Sequence, residues 1–203
     1  MAWRCDRGGR VTELGGQPGA HGTVKYRTIV ADPAWPVDWH GGGRGRHFTR
    51  PTLGYPVMDL VDIARLPVAD IAEANAALFL WVTASLNRRG IGVQVAHAWG
   101  FEPVGEFIWD KGMRIAGAFP RICHEVVLVC RRGDHAFTPP TWVSSVQRWP
   151  VSKQGSAKPE AFIDLVEQVS PGPYVELFAR RHRLGWAVWG NESANTAELG
   201  PVA

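Results

Sequence analysis

Asp32, Pro33, Ala34 and Trp35 follow a short apolar run, Ile29-Val30-Ala31. A carboxylate and a large aromatic ring therefore stand where a buried strand is expected to end. Such a set could grip a planar, hydrogen-bonding ligand such as a nucleobase. The exocyclic nitrogen of adenine is a poor nucleophile, because its lone pair is delocalised into the ring. Two acceptors aimed at its hydrogens would draw it toward a tetrahedral shape and free that lone pair. The Asp32 carboxylate supplies one acceptor. The Pro33 carbonyl supplies a second, held by proline's fixed φ. Trp35 offers a face for stacking, worth roughly 1–3 kcal/mol in systems that stack bases. A base handled in this way has to leave a duplex or come from a single strand. The same four residues also fit a plain turn with a buried tryptophan, and both readings stand at this point.

The elements around them narrow the choice. "YRTIVAD" reads as a strand ending at Asp32, followed by a long loop rich in Gly, Pro and Arg. "MDLVDIARL" predicts a short helix capped by Asp59, and "ALFLWVT" a strand covered on both faces. "SLNRRGIGVQVAHAWG" predicts a helix capped by Ser85 and stopped at Gly100. "FEPVGEFIWDKG" holds a strand, then a second long loop, then the buried strand "EVVLVCRRG". "TWVSSVQRW" is a weak strand. "KPEAFIDLVEQVSPG" is a helix with Pro159 at its start, where no N–H is needed. Its Phe162, Leu165, Val166 and Val169 recur at helical spacing. "YVELFAR" and "GWAVWGN" close the chain as two strands. Alternating strands and helices with buried apolar runs predict an α/β fold with an open sheet. Ligands of such sheets bind beyond the carboxyl ends of the strands, which is where Asp32 and the residues after Phe178 and Trp189 should lie.

Bulk properties exclude some classes. The chain has 203 residues, 45% of them hydrophobic, enough for one compact domain. No apolar run reaches the roughly eighteen residues of a membrane span, and "MAWRCDRGGR" lacks the apolar core of a secretory signal. Cys5, Cys123 and Cys130 are odd in number and form no C-x-x-C pair, which argues against a disulfide framework or a zinc site. A cytoplasmic location is expected. The net charge of +3 is compatible with a polyanion partner without demanding one.

"ADPAW" resembles the Asp-Pro-Pro-Trp signature of the MT-A70-like adenine N6-methyltransferases, which use S-adenosyl-L-methionine. Further stretches are similar in the same order: "YPVMDL", "LFLWVT", "AWGFEPVGEFIWDKG", "AKPEAFIDLVE" and "ELFARRHRLGWAVWGNE". The resemblance runs from about Tyr26 to Glu192. It implies a single-domain Rossmann-like methyltransferase fold with permuted motif order and a mostly parallel sheet flanked by helices. The expected organisation is a flexible extension over 1–24, the methyltransferase domain over 25–193 and a tail over 194–203. Asp32, Pro33, Ala34 and Trp35 become the catalytic set. Lys158 corresponds to the lysine that meets the cofactor carboxylate, and an ammonium at a helix start suits an anion. Arg180 and His182 correspond to residues at the ribose, and Asn191 and Glu192 to a pair near ribose and adenine. Glu176 and Phe178 are placed with the cofactor, though Glu176 could equally be structural. Tyr55 corresponds to an aromatic near the transferred methyl. Arg44 and Arg46, with His47 and Arg50, read as a basic lip on the substrate side. Lys111 and Arg114 are counted with the substrate as well, and Arg121 shares that reading.

Three positions depart from the family pattern: Ala34 replaces a second proline, Ala157 replaces a histidine, and "LFAR" stands where other amino-methyltransferases carry a glycine-rich loop. None removes Asp32 or Lys158, so activity is expected. DNA is preferred as the substrate over RNA. A non-catalytic nucleic-acid-binding subunit is the rival from another class. With little room for a target-recognition domain, site choice falls to the long loops, a homodimer or a partner subunit. "HEVVLVC" begins like a zinc-protease helix, but Leu128 occupies the place of the second histidine, and His124 and Glu125 are expected to line a strand entrance near the pocket.

Overall fold

The computed structural model describes residues 24–36, 56–112, 122–139, 142–151, 157–191 and 193–200. Tyr55, Arg44, Arg46, His47, Arg50, Arg114, Arg121 and Glu192 lie outside the described residues, as does nearly all of the extension expected over 1–24.

Among the described residues seven strands form one sheet. They are β1 (Tyr26–Ala31), β2 (Ala72–Val82), β3 (Glu102–Asp110), β4 (His124–Arg132), β5 (Val146–Gln147), β6 (Tyr174–Leu177) and β7 (Trp186–Trp189). Their spatial order is β5-β3-β4-β2-β1-β6-β7. β4 runs against both its neighbours, and the remaining pairs are parallel. The mixed but mostly parallel sheet agrees with the expected Rossmann-like architecture.

Helices cover both faces because the strands are apolar on both. On one face Ile29, Ala31, Leu78, Leu80 and Val175 pack under α1 (Leu60–Ala64), α2 (Val68–Ile71), α3 (Ala84–Arg88) and α4 (Ile91–Ala98). On the other, Val30, Phe79, Trp81 and Val127 meet Phe162, Ile163, Val166 and Val169 of α5 (Glu160–Val169). The apolar stripe read from the sequence is thus the buried face of α5, with Ile163 more deeply buried than Leu165.

Several local expectations need correction. The helix expected over 85–100 is two helices, because Gly90 adopts φ +69° between α3 and α4. That left-handed turn favours glycine. Thr83, not Ser85, caps α3, accepting from the Leu86 N–H at 3.4 Å. Asp59 stands at the N-cap of α1 without a side-chain capping bond among the described residues. α2 was not foreseen, since four residues carry too little periodicity to read. The strand expected at "EVVLVCRRG" is present as β4, and "HEVVLVC" lies within it.

Candidate active site

The sheet gathers the chemistry at one rim. In register, Ala31 of β1 lies beside Leu177 of β6, and Leu177 beside Trp189 of β7. Asp32, Phe178 and Gly190 are therefore each the first residue beyond one of three adjacent parallel strands. Because β4 is antiparallel, its start rather than its end reaches this rim: Val126 pairs with Val82, and His124 with Asp110. Glu125 arrives there by that reversal, and Lys111 by following the carboxyl end of β3. Lys158, two residues before α5, comes over the rim from the other layer.

These residues form an alternating chain of charge. Lys158 Nζ lies 2.9 Å from Asp32 Oδ2 and 3.1 Å from Glu125 Oε2, and the other Glu125 oxygen accepts from Lys111. Tryptophan rings form the floor. Lys158 Nζ is 5.0 Å from the Trp81 ring centroid and Lys111 Nζ 4.5 Å from that of Trp109, distances suited to cation–π attraction. The two rings meet edge to face at 5.9 Å. Burial raises the Asp32 carboxyl above its ordinary value, against the pull of Lys158. Burial also pushes Glu125 up, but Lys158 and Lys111 together outweigh it and hold that carboxyl low. For Lys158, burial favours the neutral amine. Its two carboxylate partners prevail and keep it charged.

The turn after β1 takes a specific shape. Pro33 O accepts the Trp35 N–H at 2.7 Å, and Ala34 O accepts from Met58 N at 2.9 Å. A carbonyl has two lone pairs, so the bond to Trp35 fixes the Pro33 carbonyl and leaves it a second acceptor site. Trp35 is 6% exposed, and its Nε1 donates to Trp81 O at 2.8 Å. The indole is thus an anchor between the β1 and β2 ends as the structure stands. Replacing Trp35 by Ala is expected to cost about 3–5 kcal/mol of stability, and by Phe about 1 kcal/mol for the lost hydrogen bond; denaturant titration measures both.

The β6–β7 side of the rim is tightly drawn. Phe178 has φ +62°, the left-handed region that a phenylalanine seldom adopts. Its ring meets Trp189 edge to face at 5.4 Å. Ala179 N donates to Trp189 O at 3.0 Å. A Cβ on Gly190 would sit 2.3 Å from Ala179 O, so only glycine allows this approach. Arg183 anchors the following loop to α5 through Asp164 and Glu167, at 2.7 and 3.0 Å. Arg180, His182 and Asn191 lie on this same side, with Arg180 close enough to Asp32 to oppose, weakly, the rise that burial causes. His182 and Asn191 are exposed.

Glu176, one residue from the end of β6, is pushed up to about 7 from an ordinary 4.5, chiefly by burial. Between those values the folded chain binds a proton that the unfolded chain does not. The stability linked to that proton is complete below about 4.5 and lost as pH rises through about 7. Glu176→Gln is expected to stabilise the protein by roughly 1–3 kcal/mol above pH 7 and to flatten that dependence; thermal melts at pH 5.5, 7 and 8.5 read it.

Sequence reasoning placed Asp32 and Lys158 correctly as occupants of one cleft. It placed His124 and Glu125 at a strand entrance near the pocket, without a partner for either, and gave Trp81 and Trp109 no role. The signal for Glu125 was an acid opening a continuous apolar strand, which means little until the strand's direction is known.

A mixed sheet with helices on both faces, and an acid and a lysine at its carboxyl rim, is consistent with a Rossmann-like methyltransferase fold. Residues 26–192 match the MT-A70 family, and the chain belongs to it. It is 29% identical over 185 residues to the Type II methyltransferase M.MunI of Mycoplasma sp, covering 83% of this chain and 78% of that protein. It is 29% identical over 189 residues to the N6-methyladenosine RNA methyltransferase MTA1 of Pyricularia oryzae, covering 82% and 46%. It is 26% identical over 186 residues to the N(6)-adenine-specific methyltransferase METTL4 of Homo sapiens, covering 82% and 37%. The chain thus spans less than half the length of these two eukaryotic relatives.

Proposed function

We propose that this protein transfers a methyl group from S-adenosyl-L-methionine to the exocyclic N6 of adenine in nucleic acid, with DNA preferred over RNA. The observation that carries the reading is the 2.9 Å pair between Asp32 and Lys158 in one cleft. An acceptor for an amine and a cation for an amino-acid carboxylate have to share one site if donor and base are to meet.

The donor set suits the cofactor. Lys158 presents an ammonium to its carboxylate. The sharp turn at Phe178 and the close backbone approach at Gly190 shape a cradle on the β6–β7 side. Glu176, Phe178, Arg180, His182, Asn191 and Glu192 are assigned to its ribose and adenine. When bound, the cofactor supplies an electrophilic methyl on a sulfonium. The protein's part is to hold and polarise the base. Asp32 accepts one hydrogen of the amine and the Pro33 carbonyl the other, which localises the nitrogen lone pair toward the methyl. Most of the acceleration then comes from positioning two bound reactants. Asp32 Oδ receives the amine proton late, after methylation has made it acidic. Tyr55 is assigned to the substrate side, and Arg44, Arg46 and Arg114 to phosphates.

The DNA preference rests on the match to the type II methyltransferase, most of whose length the chain covers. RNA is the second reading, on the fungal relative of equal identity. No helix among the described residues is long and apolar enough to cross a membrane. The odd number of cysteines in the sequence, with no C-x-x-C pair, is the ground on which we place the protein in the cytoplasm. A second copy or a partner subunit is assigned a share in choosing the target. Matched adenine-containing DNA and RNA oligomers, incubated with the cofactor and digested to nucleosides, decide the substrate by mass spectrometry. Methylated RNA alone would reverse the preference. Cofactor binding without turnover on either would favour a non-catalytic subunit.

A further inference from the structure

Lys111 follows the last residue of β3, where a lysine could reach either outward to a phosphate or inward to the cleft. Its surroundings fix the choice. The Lys111 N–H donates to Cys123 O at 2.9 Å, which pins its backbone beside the start of β4. Its side chain is 13% exposed, lies over the buried Trp109 ring and donates to Glu125. Trp109 is itself held, with Nε1 donating to Trp149 O at 3.0 Å. Each Glu125 oxygen therefore has its own lysine: Oε1 takes Lys111 and Oε2 takes Lys158. A carboxylate gripped at both oxygens cannot rotate without breaking one contact, and Lys158 depends on it for one of its two anions.

We propose that Lys111 is a positioning residue, which fixes Glu125 and through it holds Lys158 beside Asp32, and that it is not a phosphate contact. The inference rests on the methyl-transfer reading of the same cleft. Without Lys111, one Glu125 oxygen loses its donor in a half-buried site, and the carboxylate is free to turn or take a proton. The charged groups facing Glu125 are Lys111 from the end of β3, Lys158 from the segment before α5, and Asp32 from the end of β1. His124, its chain neighbour, acts instead on Asp110. Removing Lys111 leaves Glu125 with a single cation against burial, so its titration moves up.

The test compares the full chain with Lys111→Met and Lys111→Arg. Cofactor affinity is read by calorimetry, turnover on an adenine-containing oligomer across pH, and oligomer affinity across salt. Lys111→Met is expected to weaken cofactor binding about tenfold through the displaced Lys158. It should move the acid limb of activity to higher pH and leave the salt slope of oligomer binding unchanged. Lys111→Arg should restore most of both. On a Glu125→Gln background, Lys111→Met should add little, because the two act as one unit. A phosphate contact behaves oppositely: the slope of log affinity against log salt falls by about one, with cofactor affinity and pH limb intact. That pattern would overturn the proposal, as would full additivity with Glu125→Gln. Should Lys111→Met lose its fold, Lys111→Gln carries the same comparison. A wild-type chain that binds cofactor but methylates nothing would defeat the methyl-transfer reading alone, since the affinity arm still decides the role of Lys111.

Discussion

Asp32→Ala is expected to lower turnover by roughly 10²–10⁴-fold while cofactor affinity changes little, because the lost group acts on the base rather than the donor. The substitution deletes the acceptor that localises the amine lone pair. Lys158 keeps its contact with Glu125 and so stays in place for the cofactor. Stability should change little, because relief of a buried carboxylate is set against the loss of one of the two anions of Lys158. Burial raises the Asp32 carboxyl above its ordinary value, so the folded chain holds its proton more firmly than the unfolded chain. The ionised form then erodes stability as pH rises, and removing it relieves that cost. The same shift sets a pH dependence: turnover needs the carboxylate, so it should be lost on acidification at a pH above the ordinary range for aspartate. Steady-state kinetics with calorimetry separates the two effects. A parallel loss of cofactor affinity would mean that Asp32 holds the donor.

Lys158→Met carries the second large effect, on binding and folding together. A hydrogen bond to a charged partner contributes about 1.5–3 kcal/mol, so cofactor affinity should fall roughly 10–100-fold. The change also leaves Asp32 and Glu125 facing each other, with Lys111 on Glu125 and the more distant Arg180 near Asp32 for compensation. Breaking a buried charge network by removing one partner costs about 3–5 kcal/mol. Here part of that is recovered when one carboxyl takes up a proton. Both carboxyls should titrate higher without Lys158, so the loss of stability should be larger at pH 8 than at pH 6. Melting curves at the two pH values test the sign, and an equal loss at both would point to packing rather than charge.

The sequence exposed those parts of the site that follow from local order. The run Ile29-Val30-Ala31 ended a strand, Asp32 stood at its tip, and Pro159 marked the helix start that carries Lys158. Their meeting could be expected because parallel strands deliver their carboxyl ends to one side. Glu125 could be read as lying near the pocket, but its two lysine partners could not be found in this way. It reaches the rim only because β4 runs backwards, and pairing direction is a tertiary outcome that an apolar run does not encode. Trp35 shows the converse limit. An aromatic after Asp-Pro-Ala reads equally as a stacking face or a core anchor, and the carbonyl that captures its Nε1 lies 46 residues away, at Trp81. The break at Gly90 was legible in principle. The helical pattern continued through it, and one glycine within such a pattern is usually tolerated.

The account depends on a methyl group passing from the donor held beside Lys158 to a base held by Asp32. The most direct measurement uses S-adenosyl-L-methionine carrying a deuterated methyl, an adenine-containing oligomer, and the wild-type and Asp32→Ala chains. The account predicts N6-methyladenine with the full isotopic label from wild type and a trace at most from the variant. Label on another atom of the nucleic acid, or equal label from both chains, would contradict it.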